Sequence, residues 1–277
     1  MHIEDFIHEF SQRDASSDES LPTRRLAYEA LHARRRAADP TDMRILDECL
    51  AGVDVRRFRP IPCIEGCVVY LHGGGWNLGS ADSHHGITAN LAERLRREVI
   101  SVDYRLLPEA TYAEALADCR AVVEALPPVA VIGDSAGGRL AIDVAHTSKW
   151  QGLLGLIYPV VGTPTLENLG EDAPLLSRAD ILSLWATAAS HVPEVSADQP
   201  PSLDIEALSA ERDPLTRPLE RAIESWRQAG ASVGYRCASD MVHAALHAHA
   251  ELPAMQTAWQ DFCQAIERRL SDNLKTA

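Results

Sequence analysis

The stretch "VAVIGDSAGGRLAIDVA", residues 129–145, decides how the chain is read. Its first five residues form an apolar, β-rich run, and from Leu140 onward apolar residues recur at helical spacing. Between them lie Gly133, Ser135 and Gly137 as G-x-S-x-G. A strand that passes straight into a helix turns so sharply that backbone presses on backbone, and side chains at 133 or 137 would obstruct it. The serine at the apex is then exposed as a candidate nucleophile.

Upstream, "YLHGGGWNLGS" (residues 70–80) places Gly73, Gly74 and Gly75 between the apolar run "CVVYL" and Trp76. Interior glycine costs about 0.5–1 kcal/mol each, so three in a row ask for a reason. A serine attacking an ester carbonyl generates an alkoxide, and losing one backbone donor to it costs about 2.7–4 kcal/mol. The N–H groups of Gly73 and Gly74, with that of Ala136 after the turn, are the expected donors. His72 is read as holding the glycine loop. Trp76, His84 and His85 are candidates for the substrate pocket.

Serine needs a base, and the base needs an orienting carboxylate. On this topology the chain order is Ser, then Asp or Glu, then His. Asp213 in "SAERDPL" follows the strand-like "SLDIEALS", and His243 in "SDMVHAAL" follows the strand-like "SVGYRCA". Both would then lie at the carboxyl ends of parallel strands. Glu211 is the competing acid. His247 and His249 read as surface or packing residues of the element after the loop.

Short β-rich runs alternate with helical segments from residue 53 onward, which argues for a parallel sheet covered on both faces. Residues 1–50 read as N-terminal cap helices and residues 51–277 as the core. The loop-rich insertion at 162–201, built around "SRADILSLWATAA", reads as a second part of the cap.

The 277 residues are 46% apolar and 24% charged, ordinary for a globular protein, with a net charge of -14. That charge opposes nucleic acid and anionic membranes as partners and leaves a small-molecule substrate. An assembly of identical chains is left open. The six cysteines at 49, 63, 67, 119, 237 and 263 form no C-x-x-C pair, and the histidines of "HAALHAHA" lack a thiolate or carboxylate cluster, so neither a metal nor another cofactor is expected. The opening "MHIEDFIHEF" has neither a basic segment nor an apolar core of a secretory signal, so the expected location is cytoplasmic.

Taken together and in order, "HGGGW", "DYRLLPE", "GDSAGG", "DPL" and "MVH" resemble the bacterial hormone-sensitive-lipase-like carboxylesterases, a group that includes acetyl-esterase-like enzymes. The resemblance spans roughly residues 53–265. It implies an α/β-hydrolase fold, with a mostly parallel central sheet, helices on both faces and a helical cap. It further implies hydrolysis of short-acyl carboxylic esters without cofactor, with Ser135 as nucleophile, His243 as base, Asp213 as orienter, and Gly73, Gly74 and Ala136 as oxyanion donors. Arg139 stands where the family usually has asparagine, and Ala244 where it usually has glycine. An amidase or formamidase using the same triad, and a ligand-binding module that has lost chemistry, are the alternative readings.

Overall fold

The alternation along β3 (Ile64–Leu71) sets the architecture: Val68 and Tyr70 enter one hydrophobic core while Val69 and Leu71 enter another on the opposite face. The same two-sided burial holds in β5 (Ala130–Asp134) and β6 (Leu153–Ile157), whose residues are all buried. A strand apolar on both sides needs helices on both sides. The computed structural model supplies them and describes residues 1–14 and 19–276.

Eight strands form one sheet: β1 (Met43–Leu50), β2 (Val53–Pro60), β3, β4 (Arg97–Val102), β5, β6, β7 (Asp204–Arg212) and β8 (Ser232–Val242). Their spatial order is β1-β2-β4-β3-β5-β6-β7-β8, with β2 antiparallel to both neighbours and the other pairs parallel. Residues of α3 (His85–Leu95) and α8 (Pro253–Thr276) join the core containing Tyr70. Those of α4 (Tyr112–Ala125), α5 (Ser135–Thr147) and α7 (Thr216–Gln228) join the core containing Leu71.

The N-terminal segment differs from the sequence reading in one respect. α1 (Ile3–Asp14) and α2 (Leu21–Arg35) are helical as expected, with the Ser20 side chain capping α2, whereas Met43–Leu50 is the edge strand β1. Residues 15–18 of this segment lie outside the described residues. The charges of this strand are cross-strand partners: Asp47 pairs with Arg56 and Glu48 with Arg57, each at 2.6 Å. The hairpin turns at Ala51 and Gly52, both at positive φ. Within the 162–201 segment the one α-helix among the described residues is α6 (Arg178–Ala188), opened by a capping box of Ser177 and Asp180.

Candidate active site

β5 delivers Ser135 to the first position of α5 with φ at +52°, a left-handed conformation that a non-glycine residue holds only when its surroundings enforce it. The enforcement is steric. A Cβ at Gly137 would lie 2.1 Å from the carbonyl oxygen of Leu71, so helix α5 can approach β3 this closely only with glycine there.

Asp213 follows β7 and His243 follows β8, so the two loops meet beside the turn. Ser135 Oγ is 2.8 Å from His243 Nε2, and His243 Nδ1 is 2.7 Å from Asp213 Oδ2. Asp213 is buried, and its Oδ1 accepts a hydrogen bond from the Leu215 N–H at 2.9 Å, which fixes the carboxylate plane. Glu211 is exposed and accepts from Ser239 Oγ (2.9 Å) and the Asp240 N–H (2.7 Å), so it serves the β7–β8 edge.

The glycine loop is shifted in register from the sequence expectation. The Gly73 N–H is donated to Asp134 Oδ1 at 3.0 Å, and Gly73 does not line the cavity above Ser135. Gly74, Gly75 and Ala136 do. Gly74 sits at φ +109°, and a Cβ there would meet the Leu78 carbonyl oxygen at 2.3 Å. His72 holds the loop from beneath: its Nδ1 lies 2.8 Å from the Gly73 carbonyl, and its ring stacks on Tyr104 at 4.2 Å. Burial pushes the His72 imidazole down to about 3, with the neighbouring His84 adding to the effect.

Trp76 lines the cavity as expected, with its indole N–H donated to the Ala136 carbonyl at 3.0 Å. His84 and His85 do not. Both lie at the start of α3 behind the glycine loop: His84 Nε2 is 3.4 Å from Asp134 Oδ2, and His85 Nε2 is 2.7 Å from Asp39 Oδ1. Burial raises the pKa of Asp134, but the charge and hydrogen bond of His84 and the hydroxyl of Tyr70 outweigh it. The carboxyl is held below its ordinary range.

The remaining walls come from elements that carried no motif. α2 contributes Arg24, Tyr28 and His32, and α6 contributes Ile181, Leu184 and Trp185. His247, expected at the surface or in packing, lines the cavity with its ring stacked on His32 at 3.7 Å, whereas His249 is buried and bonded to the Leu246 carbonyl. Both belong to or adjoin a short 3-10 turn, Ala245–Ala248. Arg139 is buried, ion-paired with Asp143 at 2.9 Å, donates to the Gly162 carbonyl at 2.7 Å and lies 5.1 Å from the Trp185 ring centroid. It thus ties α5 to the 162–201 segment. Ala244 occupies the left-handed region at φ 64°.

The matching family model, described as the alpha/beta hydrolase fold, covers residues 68–247. The chain belongs to that family. Carboxylesterase NlhH of Mycobacterium tuberculosis is 30% identical to this hydrolase over 234 residues, 73% of each chain. Neutral cholesterol ester hydrolase 1 of Mus musculus is 30% identical over 183 residues, 55% of this chain and 45% of that protein. A solved hormone-sensitive lipase from a metagenome library superposes with a TM-score of 0.85 at 22% identity, covering 98% of this chain and 99% of that one. Within the α/β-hydrolases the chain falls with the carboxylesterases. Among the described residues, no cluster of histidine, cysteine, aspartate or glutamate is arranged to hold a metal ion, and no helix is long and apolar enough to cross a membrane.

Proposed function

We propose that this hydrolase is a serine carboxylesterase that cleaves small, short-acyl esters through an acyl-enzyme. The observation that carries the reading is the continuous relay from Ser135 Oγ to His243 (2.8 Å) to Asp213 (2.7 Å) at the floor of a cavity. Ser135 Oγ attacks the ester carbonyl carbon while His243 Nε2 takes its proton. Asp213 stays ionised and keeps the Nδ1–H pointed at itself, which fixes the tautomer. The alkoxide is received by backbone N–H groups of Gly74, Gly75 and Ala136; Gly73 is dropped from this set because its N–H is committed to Asp134. Collapse expels the alcohol, protonated by His243, and a water activated by the same imidazole releases the acid.

Trp76 and the α6 side chains bound a cavity of about 200 Å³, which supports short acyl groups. Helices α1 and α2 and the segment 162–201 act as the cap that shapes it. Treatment with an organophosphate should give one adduct, on Ser135. Across p-nitrophenyl esters from acetate to palmitate, kcat/KM should peak at about two to six carbons, although each buried methylene could add about 0.8 kcal/mol of binding. A maximum at about ten carbons or beyond, or a rate jump when substrate aggregates, would reject the short-chain reading.

A further inference from the structure

Helix α2 turns one stripe of itself toward the cavity. Arg24, Tyr28 and His32 recur at four-residue spacing, so they stack along one helix face, and all three line the cavity that holds Ser135 and His243. His32 is the buried member, 4% exposed, and neither of its ring nitrogens has a hydrogen-bond partner among the described residues. The ring is firmly held nonetheless. It stacks on His247 at 3.7 Å, meets Tyr28 edge-on at 4.2 Å and contacts Phe10 at 5.6 Å.

The helix beneath it is also held. Arg25 donates to both oxygens of Glu109 (2.9 and 2.7 Å) and to the carbonyls of Asn77 and Leu107 (2.9 Å each), fastening α2 to the loop that carries the glycines. A neutral imidazole offers one N–H donor and one lone pair. Here both are unspent beside a substrate cavity, whereas the α6 wall of Ile181, Leu184 and Trp185 presents aliphatic and indole surface. A phenyl ring could make the same ring contacts with His247, Tyr28 and Phe10.

We propose that His32 is a specificity-determining residue that hydrogen-bonds a hydroxyl group on the substrate, so that the preferred esters are hydroxylated rather than simple alkyl esters. The inference rests on the carboxylesterase reading and names its substrate class. A cavity with a buried polar group discriminates strongly against an analogue that leaves that group unpaired, more than an apolar wall discriminates against an added methylene. The apolar α6 wall and the polar α2 stripe together suit a small ester with one alkyl arm and one hydroxylated arm.

The test uses pairs in which a hydroxyl replaces a methyl group: 2-hydroxyethyl acetate against propyl acetate for the alcohol arm, and ethyl 3-hydroxybutyrate against ethyl 3-methylbutyrate for the acyl arm. The expected kcat/KM ratio favours the hydroxylated member at least about tenfold in one of the two pairs. His32→Phe keeps the ring contacts and should bring that ratio to about one. His32→Gln, which restores a donor and an acceptor, should recover most of the preference. Should His32→Phe fail to fold, His32→Leu replaces it. A wild-type ratio near one in both pairs, or a preference that survives loss of the imidazole, overturns the proposal. Failure to hydrolyse any of the four esters overturns the carboxylesterase reading instead.

Discussion

Two histidine–aspartate pairs flank Ser135, and they are built for different work. His243 and Asp213 approach to 2.7 Å, and the far nitrogen of His243 meets Ser135 Oγ. His84 and Asp134 lie at 3.4 Å, fully buried, and the far nitrogen of His84 meets Ser83 Oγ at 3.0 Å. The second pair has no reacting group to serve. Instead Asp134 accepts hydrogen bonds from the Gly73 N–H and the Tyr70 hydroxyl, so it clamps the glycine loop against β5. An imidazole–carboxylate couple moves a proton only when its outer nitrogen faces the chemistry. Position in the chain says nothing of this, since Asp134 is the immediate neighbour of Ser135 and Asp213 is far away.

The sharpest way to break the comparison is to remove each carboxylate's charge in turn. Asp213→Asn should lower kcat by about 10⁴, because the wrong imidazole tautomer then faces the serine. Glu211→Gln, two residues earlier at the end of β7 and bonded to Ser239 and Asp240, should cost almost nothing. Asp134→Asn leaves the serine relay intact, and its amide oxygen still accepts from the Gly73 N–H and the Tyr70 hydroxyl; the expected loss in kcat is smaller than the about 10²-fold of one lost oxyanion donor. Steady-state kinetics with one soluble ester decide it. Equal losses from Asp213→Asn and Asp134→Asn would mean that the second pair takes part in proton transfer.

The buried imidazoles around the second pair also set an acid limit. Burial, reinforced by His84, pushes His32 and His72 from the usual 6.5 down to about 3, and burial pushes His247 well below its usual value. The unfolded chain therefore binds protons below about pH 6.5 that the folded chain refuses, so stability is fully present above that pH and falls as pH drops toward about 3. Each such group contributes a slope of about 1.4 kcal/mol per pH unit within the window. Urea midpoints converted to free energy between about pH 4.5 and 6 should show His32→Phe reducing the wild-type slope by that amount. An unchanged slope would mean that His32 is protonated in the folded state.

What the sequence made legible follows the same division. Ser135, Asp213 and His243 come together as expected because each sits at the end of a parallel strand, where short-range patterns place a loop and sterics demand glycines at 133 and 137. The walls of the cavity were not legible. His32 and His247 meet only because α2 folds over the loop after β8, and neither carries a local signature. The one-residue shift in the glycine loop had a visible cause, the carboxylate of Asp134, but within G-x-S-x-G that position reads as an unconstrained x. His84 and His85 follow the glycine loop in sequence and look like pocket residues. The start of α3 instead turns them toward Asp134 and Asp39. β1 was hidden because its charges, paired across a hairpin, resemble those of a solvated helix.

The smallest expected effect sharpens the contrast between the backbones that carry the two histidines. His84 stands at the N-cap of α3 with φ at -99°, an ordinary value, whereas His243 is followed by Ala244 at φ 64°. An L-residue in that left-handed region costs about 1–2 kcal/mol, which glycine avoids. Glycine also gains entropy in the unfolded chain, which offsets about 0.4–1 kcal/mol of the relief. Ala244→Gly should therefore stabilise the fold by about 0.5–1 kcal/mol, a rise in Tm of about 2 °C for a domain of this size. Because Asp213 still holds the His243 ring at 2.7 Å, kcat should change by no more than about twofold. A calorimetric scan and one kinetic assay test both halves. A lower Tm would show that the Ala244 methyl group, which lines the cavity wall, contributes more by packing than its backbone costs, and a large fall in kcat at higher Tm would show that the strained loop, rather than Asp213, sets the position of the imidazole.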